Sequence, residues 1–391
     1  MKDFLYYVPT KINFGRTCLN SLAPIVKQWG TKPLLVYGGG SIKRNGAYDD
    51  VTGKLKEAGI PYAELSGVQP NPRYESVLEG IRIAREEGCD LMLPIGGASA
   101  IDCAKSIAAT ISYDGEPWDI MSKKVPVGKV LPVIAVPTLA AAGSEMSTSS
   151  VISRMDINEK CGYSDPEMRP KASFLNPEYT FTMPKRQTAA GVADAISHAM
   201  ESYFSNVPEA YLQARFGEAI FSTLFHYGPI AYNDPTNYEA RANLMWACCW
   251  AINGLQVKGN PVGWSMHKLE HELSAYYDVT HGIGLAIIIP AWLTWMLTEE
   301  NEYRYIGYMK AAFGIDGTGM PKLEAGKLAI QKTREFFASL EIPSRLRDIG
   351  IEEKMLPKMA EEANRFGAAY FPIAFRPLDE AGALEIYKMC Y

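Results

Sequence analysis

Histidine is scarce in this chain, with five residues in 391. Charge of one sign is not in excess either: Lys+Arg 39 against Asp+Glu 44 leaves a net −5. That balance offers no basic surface for nucleic acid, and no nucleic-acid partner is expected. No apolar run reaches the ~20 residues that cross a bilayer, so no membrane segment is expected. The two uncharged stretches, 242–257 and 282–298, fall short of it, and Gly284 and Pro290 interrupt the second. Both are read as helices buried in a large core. The seven cysteines include adjacent Cys248 and Cys249 but no CxxC pair, so reduced, mostly buried thiols in a reducing cytosol are expected. The opening MKDFLYYVPTKINFG has early charges and no apolar h-region, which argues against a secretory signal and for a cytoplasmic location. An apolar fraction of 47% with 21% charged residues excludes disorder as the main state.

What is present is organised in two halves. Short apolar runs at 34–37, 91–95 and 130–136 read as strands, each closed by a Gly- or Pro-containing turn. Amphipathic stretches at 49–58, 74–87 and 99–110 read as the helices between them. Repeated strand–turn–helix units of this length predict a parallel α/β sheet. After about residue 185 the strand-like runs mostly stop. Helical patterns then occupy 189–204, 211–225, 240–257, 264–276, 285–297 and 322–340. The boundary is set near Thr182-Met183-Pro184, giving an α/β nucleotide-type domain over 1–183 and an all-helical domain over 184–391. A cleft between two such domains is the expected place for a site.

Four of the five histidines fall in a pattern. Asp194 and His198 are four apart, and His267 and His271 repeat that spacing, with His281 ten residues on. Residues four apart share one helix face. A carboxylate and several imidazoles brought together can hold a divalent cation. The competing reading is a solvated or ion-paired helix face. His226 is left structural.

Three small-residue turns follow strands: Gly38-Gly39-Gly40-Ser41, Gly96-Gly97-Ala98-Ser99 and the loop Pro137–Glu145. Glycine lets backbone N–H groups approach a phosphate, and a helix N-terminus favours its charge. None matches GxGxxG or the P-loop pattern. Loops after neighbouring parallel strands would meet at one carboxyl edge, where open α/β sheets bind ligands.

Together these residues resemble the iron-containing (group III) alcohol dehydrogenase family, and most nearly its NADPH-dependent butanol dehydrogenase branch. The matching features run from the YxxPTKINFG stretch, Tyr6 to Gly15, as far as Pro290. The resemblance implies a Rossmann-like α/β dinucleotide-binding domain with a parallel sheet, plus an all-helical metal-binding domain, in a dehydroquinate synthase-like architecture. It implies one divalent metal, Fe2+ first with Zn2+ or Ni2+ as alternatives, held by Asp194, His198, His267 and His281. His271 matches the family's non-ligand histidine beside the nicotinamide. GGASAIDCAK, from Gly96, resembles the family's GGGSxxDxAK loop and implies cofactor contacts at Gly96, Gly97, Ala98, Ser99 and Asp102. Ala98 replaces the third glycine, which is tolerated if that residue keeps negative φ. PTLAAAGSE, from Pro137, resembles PTxxGTGSE and implies contacts at Thr138, Leu139 and Ser144, with Ala142 where a threonine is usual. Asn71 is a further implied contact. NAD-preferring members carry an Asp near the first strand end, where Gly39 stands here. With no carboxylate there, Gly38, Gly39, Gly40, Ser41 and Lys43, helped by Arg44, are expected to receive the 2′-phosphate of NADP(H).

The activity this resemblance implies is metal-dependent interconversion of primary alcohols and aldehydes with NADP(H), with reduction of aldehydes such as butanal expected in the cell, and with His271 either relaying a proton or walling the nicotinamide. Trp246, Trp250, Trp264 and Trp295 suggest an apolar surround suited to an uncharged substrate. The rival readings are a dehydroquinate synthase-like lyase and a non-catalytic nucleotide-binding protein. A homodimer is implied, formed through residues 13–15.

Overall fold

The structure, a computed structural model, describes residues 1–391. Eight strands form: β1 (Lys11–Phe14), β2 (Pro33–Val36), β3 (Ala63–Leu65), β4 (Leu91–Gly96), β5 (Ile134–Pro137), β6 (Ser149–Arg154), β7 (Glu159–Ser164) and β8 (Ala172–Leu175). Six make one sheet in the order β1-β8-β5-β4-β2-β3, with every neighbouring pair parallel. β6 and β7 pair antiparallel as a separate hairpin. The helices between the strands are α1 (Leu22–Trp29), α2 (Ser41–Arg44), α3 (Ala47–Glu57), α4 (Tyr74–Glu87), α5 (Ala98–Thr110) and α6 (Pro117–Met121). After β8 the chain carries no further strand and is mainly helical: α7 (Lys185–Tyr203), α8 (Tyr211–Asn233), α9 (Tyr238–Ile252), α10 (Ser265–Tyr277), α11 (His281–Met296), α12 (Glu302–Phe313), α13 (Glu324–Ser339), α14 (Leu356–Gly367) and α15 (Glu380–Cys390).

The strand sequences explain the doubly wound layers. β2 is buried along its whole length, so its apolar run does not alternate with polar residues. Side chains of period two then feed opposite cores. Leu34 and Val36 pack with residues of α4 and α5, such as Val77, Ile81 and Ile107. Leu35 and Tyr37 pack with residues of α1 and α3, such as Ile25, Val51 and Leu55. α4 is stopped by Gly88 in the left-handed region, φ 67°, which only glycine adopts without strain.

The strand expected over 130–136 begins only at Ile134. Pro132 has no N–H to donate, and its carbonyl accepts instead from Met92 N at 2.9 Å. The expected helix over 240–257 ends at Ile252. The run 282–298 is the buried helix α11. No helix is long and apolar enough to cross a membrane. All seven cysteines are free thiols.

The chain divides into two compact units that are not contiguous in sequence. One comprises Tyr7–Met183 with Pro235–Cys249, and the other Met1–Tyr6, Pro184–Asp234 and Trp250–Tyr391. A single cut at 183/184 therefore misplaces most of α9. Its contacts explain why it groups with the α/β unit: Trp246 meets the Phe14 ring edge-on at 6.0 Å, and the Arg16 guanidinium lies 3.8 Å from the Tyr238 ring centre.

Candidate metal centre and cofactor loops

Helix periodicity does what the spacing predicts. α7 presents Asp194 and His198 on one face, α10 presents His267 and His271, and His281 opens α11. Asp194, His267 and His281 each offer a ligand atom, all within 4.8 Å of one another. His198 joins them, with its Nδ1 3.7 Å from Asp194 Oδ1 and its ring stacked on His267 at 4.7 Å. His281 Nε2 lies 3.9 Å from the same Asp194 oxygen. The His271 ring is 5.8 Å from that of His281. A solvated face is excluded, because Asp194, His198, His267 and His271 are all less than a tenth exposed.

Two atoms test whether a cation fits. Asp194 Oδ1 and His198 Nδ1 are buried and have no hydrogen-bond partner. Orphaned buried polar atoms are rare and costly, and a missing ion is one explanation for them. Burial pushes His198 down to about 3, with His267 and His281 adding to the fall and Asp194 opposing it. Its imidazole is therefore neutral and able to donate a lone pair at any pH near 7. The donor set fits a divalent metal.

Two glutamates that the sequence reading did not single out stand behind the cluster. Glu201 of α7 accepts the backbone N–H of His267 at 3.0 Å, and its Oε1 lies 3.4 Å from His267 Nδ1. Burial pushes Glu201 up to about 8. Glu270 Oε2 meets His281 Nδ1, and its Oε1 accepts from Ser274 Oγ at 2.5 Å. Trp264, with φ 43°, sits just ahead of α10, its ring 5.3 Å from His267 and 6.2 Å from His198. The other three tryptophans pack elsewhere: Trp246 against Phe14, Trp250 stacked on Phe216 and Trp295 beneath Arg376.

In the α/β unit, β2, β4 and β5 are parallel neighbours. The three small-residue turns therefore leave the same sheet edge, next to the point where the strand order reverses. Ala98 is the first residue of α5 and is not among the positive-φ residues, so its methyl is accommodated. A Cβ on Gly97 would lie 3.0 Å from Leu139, which brings the second and third turns together. In the first turn Gly39, Gly40, Ser41 and Lys43 are exposed. A Cβ on Gly39 would meet nothing within 4 Å. The Lys43 ammonium lies 4.9 Å from the Tyr48 ring centre. The nearby Glu64 carboxylate is occupied, accepting from Tyr48 OH at 2.9 Å and from Tyr37 OH. Gly38 has no room to grow, since a Cβ there would be 3.0 Å from Val68 O.

The third loop is fastened from below by buried charge. Lys105 Nζ, fully buried, donates to Ser144 O, Ser144 Oγ, Ser147 O, Ser147 Oγ and Ser149 O at 2.6–3.1 Å. Burial pushes Lys105 down to about 8, opposed by Asp102 and Glu145. Asp102 accepts from Ser144 Oγ at 2.5 Å and from Val151 N at 2.9 Å. Asp102 and Ser144 thus hold each other. Asn71, at φ 50°, accepts from the buried Lys160 of β7 at 3.2 Å. Lys105 and Lys160 were not singled out. Lys105 carries a readable signal, one helical turn after Asp102 on an otherwise apolar helix face, whereas Lys160 carries none.

The model of the iron-containing alcohol dehydrogenase family matches residues 9–177, and that of the Fe-containing alcohol dehydrogenase C-terminal family matches 188–391. The chain belongs to the iron-containing alcohol dehydrogenase family. It is 49% identical to NADH-dependent butanol dehydrogenase B of Clostridium acetobutylicum over 99% of each chain. It is 35% identical to an NADPH-dependent aldehyde reductase of Escherichia coli over 94% of each. The crystal structure of NADH-dependent butanol dehydrogenase A from Thermotoga maritima superposes with a TM-score of 0.94 at 34% identity, covering 100% of this chain and 99% of that one. Membership in the iron-containing alcohol dehydrogenases places the chain in alcohol–aldehyde oxidoreduction and implies a metal and a nicotinamide cofactor. Neither a dehydroquinate synthase-like lyase nor a non-catalytic binder is favoured by these matches.

Proposed function

We propose that the chain reduces small aldehydes such as butanal, and oxidises the corresponding primary alcohols, with NADP(H) and one divalent metal held by Asp194, His198, His267 and His281. The observation that carries this reading is the buried donor set, in which Asp194 Oδ1 and His198 Nδ1 have no other partner. Iron is the first choice of metal, and imidazole-rich sites also take Zn2+ or Ni2+. When bound, the metal supplies Lewis acidity at the substrate oxygen and the nicotinamide supplies or accepts hydride.

The chain's own groups do the rest. The neutral imidazole of His198 presents a lone pair rather than a charge. His271, buried a turn beyond His267, is the candidate to pass a proton. Gly96, Gly97, Ala98 and Ser99, at the start of α5, offer backbone N–H groups and a helix dipole to the pyrophosphate. Thr138, Leu139 and Asn71 would border the nucleotide, while Asp102 and Ser144 act by holding the third loop. The open ground over Gly39, beside Ser41 and Lys43, suits a 2′-phosphate. A preference for NAD(H) is the second reading, supported by the names of relatives such as the Clostridium enzyme. The exposed strand β1 ends the sheet and carries Phe14, 41% exposed, beside Trp246, 39% exposed. An open edge of this kind supports a homodimer.

The test uses purified chain stripped with a chelator and reloaded with Fe2+, Zn2+ or Ni2+ without oxygen. Butanal-dependent oxidation of NADPH should return only with metal. No turnover of any aldehyde with any of these metals would overturn the enzymatic reading. A higher kcat/KM with NADH than with NADPH would overturn the cofactor choice alone, and a monomer in light scattering would overturn the dimer.

A further inference from the structure

An imidazole has two nitrogens, and a ligand histidine is useful only when the correct one faces the metal. The partner of the other nitrogen decides which one that is. At His281 that partner is visible: Nδ1 meets Glu270 Oε2, while Nε2 is turned toward Asp194 Oδ1 at 3.9 Å. The carboxylate is itself held, since Oε1 accepts from Ser274 Oγ at 2.5 Å and Ser274 Oγ also reaches Val279 O at 3.1 Å. Glu270 is 0% exposed, so water does not compete for these contacts. Room for it is made by a missing side chain. A Cβ on Gly284, one turn beyond His281 in α11, would lie 2.9 Å from Glu270 Cγ and 3.0 Å from its Oε1.

We infer that Glu270 is a positioning residue, which holds His281 in the tautomer and orientation that present Nε2 to the metal. Ser274 and Gly284 are the two features that let it do so. Glu201 stands in the corresponding relation to His267, and it also accepts that residue's backbone N–H at 3.0 Å. Nothing in this role requires Glu270 to touch substrate or cofactor. The inference rests on the metal centre proposed above.

Metal affinity, not turnover, is therefore the measurement. Wild-type chain, Glu270→Gln and Glu270→Leu are titrated with Co2+ against a competing chelator, following both bound cobalt and its visible absorption band. In zinc-loaded chain labelled with 15N-histidine, the His281 nitrogens report which one carries the proton. Loss of a partner behind a ligand histidine costs about 10- to 100-fold in metal affinity. Glu270→Leu should lose that much. Glu270→Gln, which keeps an acceptor oxygen but not the charge, should lose less, about threefold or more, and keep the Nδ1–H signature. Affinities equal to wild type in both variants, with an unchanged tautomer, would overturn the inference. Melting of the metal-free chains shows whether each variant is folded. Should Glu270→Leu not fold, Glu270→Gln decides alone, and parity with wild type overturns the role. A wild-type chain that binds no cobalt is a different failure, that of the metal centre itself.

Discussion

Gly282 follows a proposed ligand directly and leaves no space for a side chain. A Cβ there would stand 2.0 Å from Ala190 O and 2.6 Å from Ala190 C. These are backbone atoms of α7, the helix that carries Asp194 and His198, so no flexible side chain can yield. Ordinary contact begins at 3.4 Å, so α7 and α11 must separate locally by about 1.4 Å to admit Gly282→Ala. Overpacking of this kind costs about 1–3 kcal/mol, and a clash against helix backbone belongs at the upper end. With an unfolding entropy of about 2.1 cal/mol/K per residue, 391 residues shift by about 1.2 °C per kcal/mol, so the metal-free protein should melt about 4 °C lower. The second consequence is chemical. Metal sites tolerate about 0.2 Å in ligand position, so a shift near 1 Å between His281 and Asp194 should abolish tight binding. Gly282→Ala should then gain almost nothing in melting temperature from added metal, while wild type gains with the logarithm of free metal over Kd. Gly53→Ala is the control, since a Cβ there meets nothing within 4 Å and the residue lies inside α3. It should stabilise by about 0.5–1 kcal/mol through reduced freedom of the unfolded chain. Calorimetry with and without metal reads both. A Gly282→Ala chain with wild-type melting and metal content would refute the close approach of the two helices at the ligands.

Two further outcomes follow from buried groups. Burial, with Glu362 nearby, pushes Glu272 up to about 8 from 4.5. The folded chain thus keeps a proton that the unfolded chain has released, and this group's contribution to stability falls as pH climbs from about 4.5 to about 8. Glu272→Gln should remove that fall and exceed wild type by about 1–3 kcal/mol at pH 9 in urea unfolding, and identical pH profiles would refute it. His271→Ala should lower kcat by about 10²–10⁴-fold and remove one limb of the pH–rate profile while leaving metal content unchanged. A profile that superposes on wild type would take the proton-passing role from His271 and leave it as a wall.

What could be read from the sequence was what repeats over one or two helical turns or one strand. Asp194 with His198, and His267 with His271, declare themselves because a spacing of four returns a side chain to the same face. The parallel sheet declares itself because strands buried on both faces are short apolar runs between turns. What could not be read were the groups that hold those residues in place. Glu201 reaches His267 across 66 positions, and Lys105 fastens a loop 39 to 44 positions away. Among 44 acidic residues nothing local marks Glu201 or Glu270. The placement of α9 failed for a related reason: its apolar and polar residues do not segregate to one face, so the helix pattern carries no sign of what it packs on. Gly282 and Gly284 show the same limit from the other side. In sequence they are two glycines interrupting an apolar run, which argues against a long helix. In the fold each is an empty place, one where α7 presses on α11 and one where Glu270 reaches His281. The ligands follow from helix periodicity, but their geometry depends on these absences, and a missing Cβ gains meaning only once its neighbour is known.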